Sequence, residues 1–211
     1  MKRKCYICLL LAIAMHIGVK AQGELPLENS YSFGGGILTG LSEGKNDYMN
    51  VANKPLCFDF TADYRHYFIP SVALGVTYEY ITSSRQQNKM RCHYVAPTLT
   101  LRYLYANGKQ GIFGTLGAGY FQYGERISGN RHAPNTTFNK GYFGASIGLG
   151  YECAVSRGFS MQFKIDFLLA DWHFNPSYEP KWRRDNPDEY QSIFENNFSY
   201  ISFGVAFQFG K

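Results

Sequence analysis

Residues 201–211 read ISFGVAFQFGK, and the fold of the protein can be worked out from this segment. Large apolar side chains occupy every second position from Ile201 to Phe209, and Ser, Gly, Ala and Gln lie between them. A period of two residues predicts a β-strand with one apolar face. A lone strand at a chain terminus frays easily. This strand therefore needs a partner elsewhere in the sequence.

The same alternation recurs from Tyr31 onward. It predicts eight strands, at residues 31–41, 55–67, 71–82, 92–105, 111–123, 141–153, 159–171 and 198–209. They are longer than the ~5–6 residues usual in soluble sheets and match the ~9–11 residues of a membrane-crossing strand. Short connections alternate with longer polar ones, which lie at 42–54, 83–91, 124–140 and 172–197. The pattern predicts an all-β fold, an eight-stranded antiparallel up-and-down transmembrane β-barrel with short periplasmic turns and longer extracellular loops.

The two faces of these strands differ in composition. One face is apolar and rich in aromatic residues, such as Phe159, Phe163 and Phe167. The other carries most of the strand glycines and the charged residues found within the strands, which are Asp59, Asp63, Arg65, Glu79, Arg102, Glu152, Lys164 and Asp166. An eight-stranded barrel has an interior only just wide enough for side chains to fill. Small and charged residues are therefore expected to face the lumen, and bulky apolar residues to face lipid rather than the core of a soluble barrel.

We expect the eight inward charges to form a polar network that plugs the lumen, because buried charges need partners. Arg65, Arg102 and Glu152 should lie at similar depth, so that an arginine neutralises Glu152. An ion path through the barrel is the functional alternative. Two further alternatives to the network concern the upper acids Asp59, Glu79 and Asp166: pairing with the loop bases Arg85, Lys89 or Arg91, or binding of a divalent cation. Carboxylates without fixed spacing are not a metal motif, so no metal site is predicted.

Residues 1–21 have the layout of a secretory signal peptide, with a basic start, an apolar run from Cys5 to Met15 and small residues before Gln22. We expect a mature chain with a short periplasmic segment at 22–30 and a barrel domain at 31–211. Its 17 basic and 16 acidic residues argue against a nucleic-acid partner. Its cysteines, Cys57, Cys92 and Cys153, are odd in number, which argues against a disulfide framework.

With a signal peptide, eight alternating strands and a terminal strand that finishes in Phe207 and Phe209, the chain resembles the small Gram-negative outer-membrane barrels of the OmpA/OmpX type. The resemblance covers about 180 residues and concerns pattern rather than a single motif. It implies a monomer in the cell outer membrane, in contact with lipid and lipopolysaccharide, inserted by the barrel-assembly machinery through the C-terminal strand. The pair Gly210 and Lys211 departs from the usual ending on the aromatic residue.

The segment after the seventh strand holds the candidate surface residues. Trp, Tyr and Arg dominate binding hot spots, and Trp172, His173, Trp182, Arg183 and Arg184 form a possible binding surface for an unknown extracellular ligand. We expect a structural or surface-interaction protein with no catalytic residues and no cofactor. One alternative is a lipid A-modifying acyl hydrolase that uses His173, although Ser177 lies beyond Pro176 in a loop and the His-x-Ser arrangement that such deacylases carry on a strand is absent. A narrow solute or ion channel is the other.

Overall fold

The computed structural model describes residues 28–40, 57–85, 88–105, 108–127, 136–171 and 198–210. They form eight strands: β1 Asn29–Gly40, β2 Cys57–Ile69, β3 Val72–Arg85, β4 Asn88–Leu104, β5 Gln110–Ile127, β6 Thr136–Ser156, β7 Phe159–Asp171 and β8 Phe198–Gly210. Each strand pairs with its neighbours in chain order, and β1 pairs with β8 to close the barrel. The predicted fold class is therefore confirmed. These residues include no helix of sufficient length and hydropathy to cross a membrane.

Closure of the barrel gives the last strand its partner. Tyr31 of β1 lies opposite Phe209 of β8, and Phe33 lies opposite Phe207, in an antiparallel ladder that continues to the other end of both strands. A hydrocarbon environment offers no hydrogen bonds to an exposed sheet edge, so a membrane-spanning sheet must close on itself. The strand that contains residues 201–209 is thus one member of a complete ring of paired strands.

The hairpin between β3 and β4 is longer than predicted. Arg85 pairs with Asn88, so most of the predicted loop 83–91 is strand. Lys89 and Arg91 lie on the outer face of β4 and are exposed. Ladder hydrogen bonds join backbone groups and do not require apolar side chains, which is why the pairing continues above the apolar part of the wall.

The predicted loop 124–140 is shortened in the same way, because β5 extends to Ile127 and β6 begins at Thr136. Residues 42–54 and 172–197, the other two predicted loops, lie outside the described residues. The wall formed by β3 to β6 is therefore taller than sequence alternation alone indicates.

Tight turns join the strands at the opposite end. Gly108 and Gly158 have φ angles of 63° and 74°, a left-handed conformation that glycine adopts without a steric penalty. The N–H of Gly108 donates to the carbonyl of Tyr105 at 2.9 Å. The N–H of Gly210 donates to the carbonyl of Gly158 at 3.1 Å, which ties the end of β8 to the β6–β7 turn.

The outer face of the barrel is a belt of large apolar side chains. Tyr103 and Leu149 are 64% and 66% exposed to the surroundings, and residues on all eight strands share this property, including Phe33, Phe60, Leu74, Leu101, Leu116, Ile147, Ile165 and Phe203. Soluble proteins rarely expose a contiguous apolar patch of this extent. Lipid is the solvent that such a surface requires, as the alternation in sequence predicts.

This belt predicts a depth-dependent cost of adding charge. Ile147 lies on the outer face of β6, midway between Phe143 and Tyr151, so Ile147→Arg should destabilise the barrel by about 2–4 kcal/mol. Tyr103→Arg places the same group on the same face next to the end of β4, where the expected cost is about 0–1 kcal/mol. Urea unfolding from lipid vesicles measures both values. Equal costs at the two positions would contradict the depths assigned to them in the membrane.

Candidate functional site: the layered lumen

The inward charged residues are the sequence-predicted site that falls within the described residues. All eight lie on the lumen side of the wall. Seven are buried, namely Asp59, Asp63, Arg65, Glu79, Arg102, Glu152 and Lys164. The side chain of Asp166 is 22% exposed and lies 3.9 Å from Lys164. The structure divides these residues among different levels of the lumen.

The lowest level is a basal layer formed by Tyr67, Arg102, Glu152, Gln162 and Gln208. Arg102 Nη1 lies 3.2 Å from Glu152 Oε1, and neither side chain is exposed. Gln162 Nε2 donates to Glu152 Oε2 at 3.2 Å and to Gln208 Oε1 at 2.5 Å. The guanidinium of Arg102 also lies over the ring of Tyr67, 3.9 Å from its centroid. The buried ion pair is thus surrounded by further contacts, as a charge in such a setting requires.

Asp63 organises the next level. Its Oδ2 accepts from Ser32 at 2.8 Å, from Lys164 at 3.0 Å and from Arg65 at 3.4 Å. Its Oδ1 accepts from the hydroxyl of Thr77. Two bases and two hydroxyls therefore stabilise one buried carboxylate.

Above Asp63 the lumen contains a small polar chamber. Its volume is about 30 Å³, and it is lined by Thr61, Asp63, Arg65, Thr77, Glu79, Tyr94, Thr98, Thr115, Ser146, Lys164, Asp166 and Leu168. Since a water molecule needs roughly 10–15 Å³ of such space, the chamber has room for about two waters. A pocket of this size is much smaller than a water-filled bore through the barrel.

Two carboxylates near the top of the chamber differ from the others in their contacts. Asp59 Oδ2 accepts from Ser202 at 2.5 Å, but its Oδ1 has no hydrogen-bond partner among the described residues. Glu79 Oε1 likewise has none in that part of the chain. The interpretation that Lys89 and Arg91 pair with these acids is wrong, because both bases lie on the outer face of β4. Of the side chain of Arg85 the structure gives no description.

A layer of aromatic and aliphatic side chains covers the chamber on the side of the long loops. This aromatic layer consists of Leu38, Ile81, Cys92, Tyr94, Ala96, Phe121, Tyr123, Tyr142, Leu168, Ala170 and Tyr200. The prediction that only small and charged residues face the lumen is therefore wrong for this level. Parity alone identifies these rings, since Tyr94 and Phe121 precede and follow the outward-facing Val95 and Tyr120. The inward rings are needed to fill a lumen that polar side chains leave partly empty.

The inward glycines make room for inward rings. A Cβ atom at Gly150 would lie 2.3 Å from Cζ of Phe113, and one at Gly144 would lie 3.0 Å from Cε2 of Tyr94. The ring of Phe113 in turn lies under the guanidinium of Arg65, with 4.8 Å between Cζ of Arg65 and the ring centroid. The concentration of glycine on one face, which is visible in the sequence, thus has a packing cause.

The described residues show no arrangement suited to acyl hydrolysis. His66 Nδ1 contacts Asn29 Oδ1 at 2.9 Å, and His93 Nδ1 contacts the Tyr78 hydroxyl at 2.9 Å, so neither imidazole is paired with a serine. In the same residues no cluster of three or more His, Cys, Asp or Glu side chains is arranged to hold a metal ion. Cys57, Cys92 and Cys153 are free thiols. The candidate surface residues Trp172, His173, Trp182, Arg183 and Arg184 lie outside the described residues.

No protein-family model and no curated protein sequence matches the chain. Several solved structures do match the chain. Neisserial surface protein A is similar with a TM-score of 0.59 and 7% identity, over 87% of this chain and 97% of that one. Ail, the attachment invasion locus protein of Yersinia pestis, is similar with a TM-score of 0.50 and 13% identity, over 88% and 100%. Its complex with the heparin analogue sucrose octasulfate gives a TM-score of 0.50, 12% identity and the same coverage.

These likenesses, at such low identity, concern the fold. The fold implied by the resemblance to small outer-membrane barrels, a closed ring of eight antiparallel strands, is confirmed.

The packing of Phe113 on Gly150 generates a stability prediction. Gly150→Ala forces a methyl group against the Phe113 ring and should cost about 1–3 kcal/mol, as overpacking does. Gly114→Ala is the matched control: it lies on the adjacent strand, and its Cβ would have no neighbour closer than 3.7 Å. It should be neutral or gain about 0.4–1 kcal/mol. Urea unfolding in vesicles compares the two variants. A larger cost for Gly114→Ala would contradict the inward packing.

The Arg102–Glu152 pair generates a second stability prediction. Arg102→Ala leaves a buried carboxylate without its base and should destabilise the barrel by about 3–5 kcal/mol. The double variant Arg102→Met, Glu152→Gln removes both charges and should recover most of that loss, because a neutral pair of similar volume has no unpaired charge. Unfolding titrations measure the difference. A double variant as unstable as Arg102→Ala would show that the charge of Glu152 is not the cause.

Proposed function

We propose that the protein is a monomeric outer-membrane barrel whose role is structural or surface-interacting, exerted through its long extracellular loops. The observation that carries this proposal is the filled lumen. The basal layer and the aromatic layer lie on either side of a chamber of about 30 Å³. A barrel packed in this way supports a rigid frame for loops better than a route for solutes.

Both layers argue against the channel alternative. At the lower level, the Arg102–Glu152 pair and the two glutamines lie across the lumen, and these four side chains are buried. At the upper level, Tyr94, Phe121 and Tyr200 have no exposed surface. A conducting path would require both layers to rearrange together.

The apolar belt supports the proposed location. A ring of lipid-facing side chains surrounds all eight strands, as a barrel without a protein partner in the membrane requires. The signal-peptide pattern of residues 1–21 adds the export step. Lipopolysaccharide and outer-membrane lipid are then the immediate surroundings of the belt, and the alternating strand β8 is the segment offered to the assembly machinery.

The segment between β7 and β8 is the proposed binding surface. It contains Trp172, His173, Trp182, Arg183 and Arg184. Adjacent arginines suit a ligand with sulfate or phosphate groups, because a guanidinium donates two parallel hydrogen bonds to such oxyanions. Ail binds sucrose octasulfate in its crystal structure, and this polyanion is therefore a suitable probe.

The test combines conductance with binding. In planar bilayers the purified protein should show little or no steady current. Sucrose octasulfate should bind the protein in vesicles, and the double variant Arg183→Gln, Arg184→Gln should weaken binding about tenfold or more, the loss expected for one or more charge-assisted hydrogen bonds. The control is Lys89→Gln, Arg91→Gln, which removes two positive charges from the outer face of β4 and should leave affinity nearly unchanged.

A large, stable open conductance would contradict the proposal and favour the channel. Equal losses in the two double variants would show that binding follows net charge and not the proposed surface. A change in lipid A mass between strains with and without the protein would favour the acyl hydrolase.

A further inference from the structure

The described inward side chains carry an unbalanced charge. Five carboxylates face three bases: Asp59, Asp63, Glu79, Glu152 and Asp166 against Arg65, Arg102 and Lys164. If all are ionised, two negative charges have no base to balance them within the described part of the lumen. An excess of this kind is costly in a barrel surrounded by lipid, because the interior offers little solvation.

The contacts locate the excess. In the basal layer, Arg102 balances Glu152. At the next level, Arg65 and Lys164 both contact Asp63, and Lys164 also lies 3.9 Å from Asp166. Two bases and two acids balance there. The remaining carboxylates are Asp59 and Glu79, at the top of the chamber.

Glu79 is the more exceptional of these two. It is 5% exposed, it lines the chamber, and its Oε1 has no hydrogen-bond partner in the described chain. Asp59, which is 3% exposed, accepts from Ser202 at 2.5 Å and is not among the residues that line the chamber. Glu79 is therefore a buried and incompletely partnered carboxylate beside a space large enough for an ion or a water.

The groups that face Glu79 from the surrounding strands do not supply the missing charge. They are Asp59 and Thr61 of β2, Tyr94 of β4, Lys164 and Asp166 of β7, and Tyr200 of β8. The hydroxyls among them are neutral, and Lys164 already lies between two other carboxylates. The chamber also presents the hydroxyls of Thr98, Thr115 and Ser146. Oxygen atoms of these types suit hard cations.

We propose that the chamber holds one monovalent cation against the carboxylate of Glu79, either an alkali metal ion or a proton. A single charge is consistent with the observation that the described residues contain no cluster of three or more metal-ligating side chains. The cation balances half of the excess charge and occupies the point where the described part of the lumen has an acid without a base.

The experiment measures the urea midpoint of the folded protein in zwitterionic phosphocholine vesicles. A cation that binds only the folded state raises the midpoint with its concentration. If the cation is Na⁺ or K⁺, the midpoint should therefore rise in that salt relative to choline chloride at equal ionic strength. If it is a proton, the folded state holds a proton that the unfolded chain releases, so the midpoint should fall as pH rises from mildly acid to mildly alkaline.

Glu79→Gln keeps the size of the side chain and removes its charge. It should abolish the alkali or pH dependence and leave the midpoint in choline chloride at or above that of the unmutated protein. Glu152→Gln is the matched control, the same chemical change in the basal layer. It should lower the midpoint, because it leaves Arg102 without its partner, and should keep the dependence on cation or pH.

If Glu79→Gln does not fold, Asp59→Asn is the variant to measure in its place. It removes the neighbouring negative charge and should weaken the dependence without abolishing it. An unmutated protein whose midpoint responds to neither alkali ions nor pH would overturn the proposal. So would a dependence that persists at full strength in Glu79→Gln.

Discussion

The pairing of β1 with β8 is the constraint on which the rest of the structure depends. In lipid, a backbone N–H or C=O without a partner is too costly to leave exposed, so the sheet must close. Closure at eight strands fixes the circumference and hence the volume of the lumen. Every inward side chain must then fit within that volume and find its polar partners there, while every outward side chain is left to the lipid.

The lumen meets this requirement by different means at different levels. Near the turns, charges and amides contact one another, as do Arg102, Glu152 and Gln162. Near the long loops, rings and aliphatic groups fill the space, as where Cε2 of Tyr94 lies 3.0 Å from the position that a Cβ atom on Gly144 would take. The acids and bases between the two levels are the described residues whose charges do not balance in number. Buried side chains thus fill the described lumen at both levels, whereas the described acids and bases between them do not balance in number.

This arrangement separates the barrel wall from the proposed binding surface. A lumen packed at both levels resists deformation, because close-packed protein interiors have low compressibility. The loops that leave the ends of β7 and β8 therefore start from fixed positions, and loops on such a frame are where binding residues commonly lie. The charge at Glu79 concerns a different property, the stability of the frame itself.

The sequence alone determined the class of fold, the number of strands and the direction in which most side chains face, because alternation with a period of two residues is a local property that each strand carries by itself. It also placed Arg102 and Glu152 at one depth. Three features depended on the tertiary structure. The extension of β3 to β6 beyond the apolar belt rests on backbone pairing with a neighbour, which side-chain alternation does not record. The aromatic layer rests on how much space the polar residues leave, a sum over strands far apart in the chain. The charge imbalance at Glu79 rests on which base reaches which acid across the lumen. The closed ring sets this, because it brings Asp63 and Lys164 together over 101 residues and leaves Glu79 without a base of its own among the described residues.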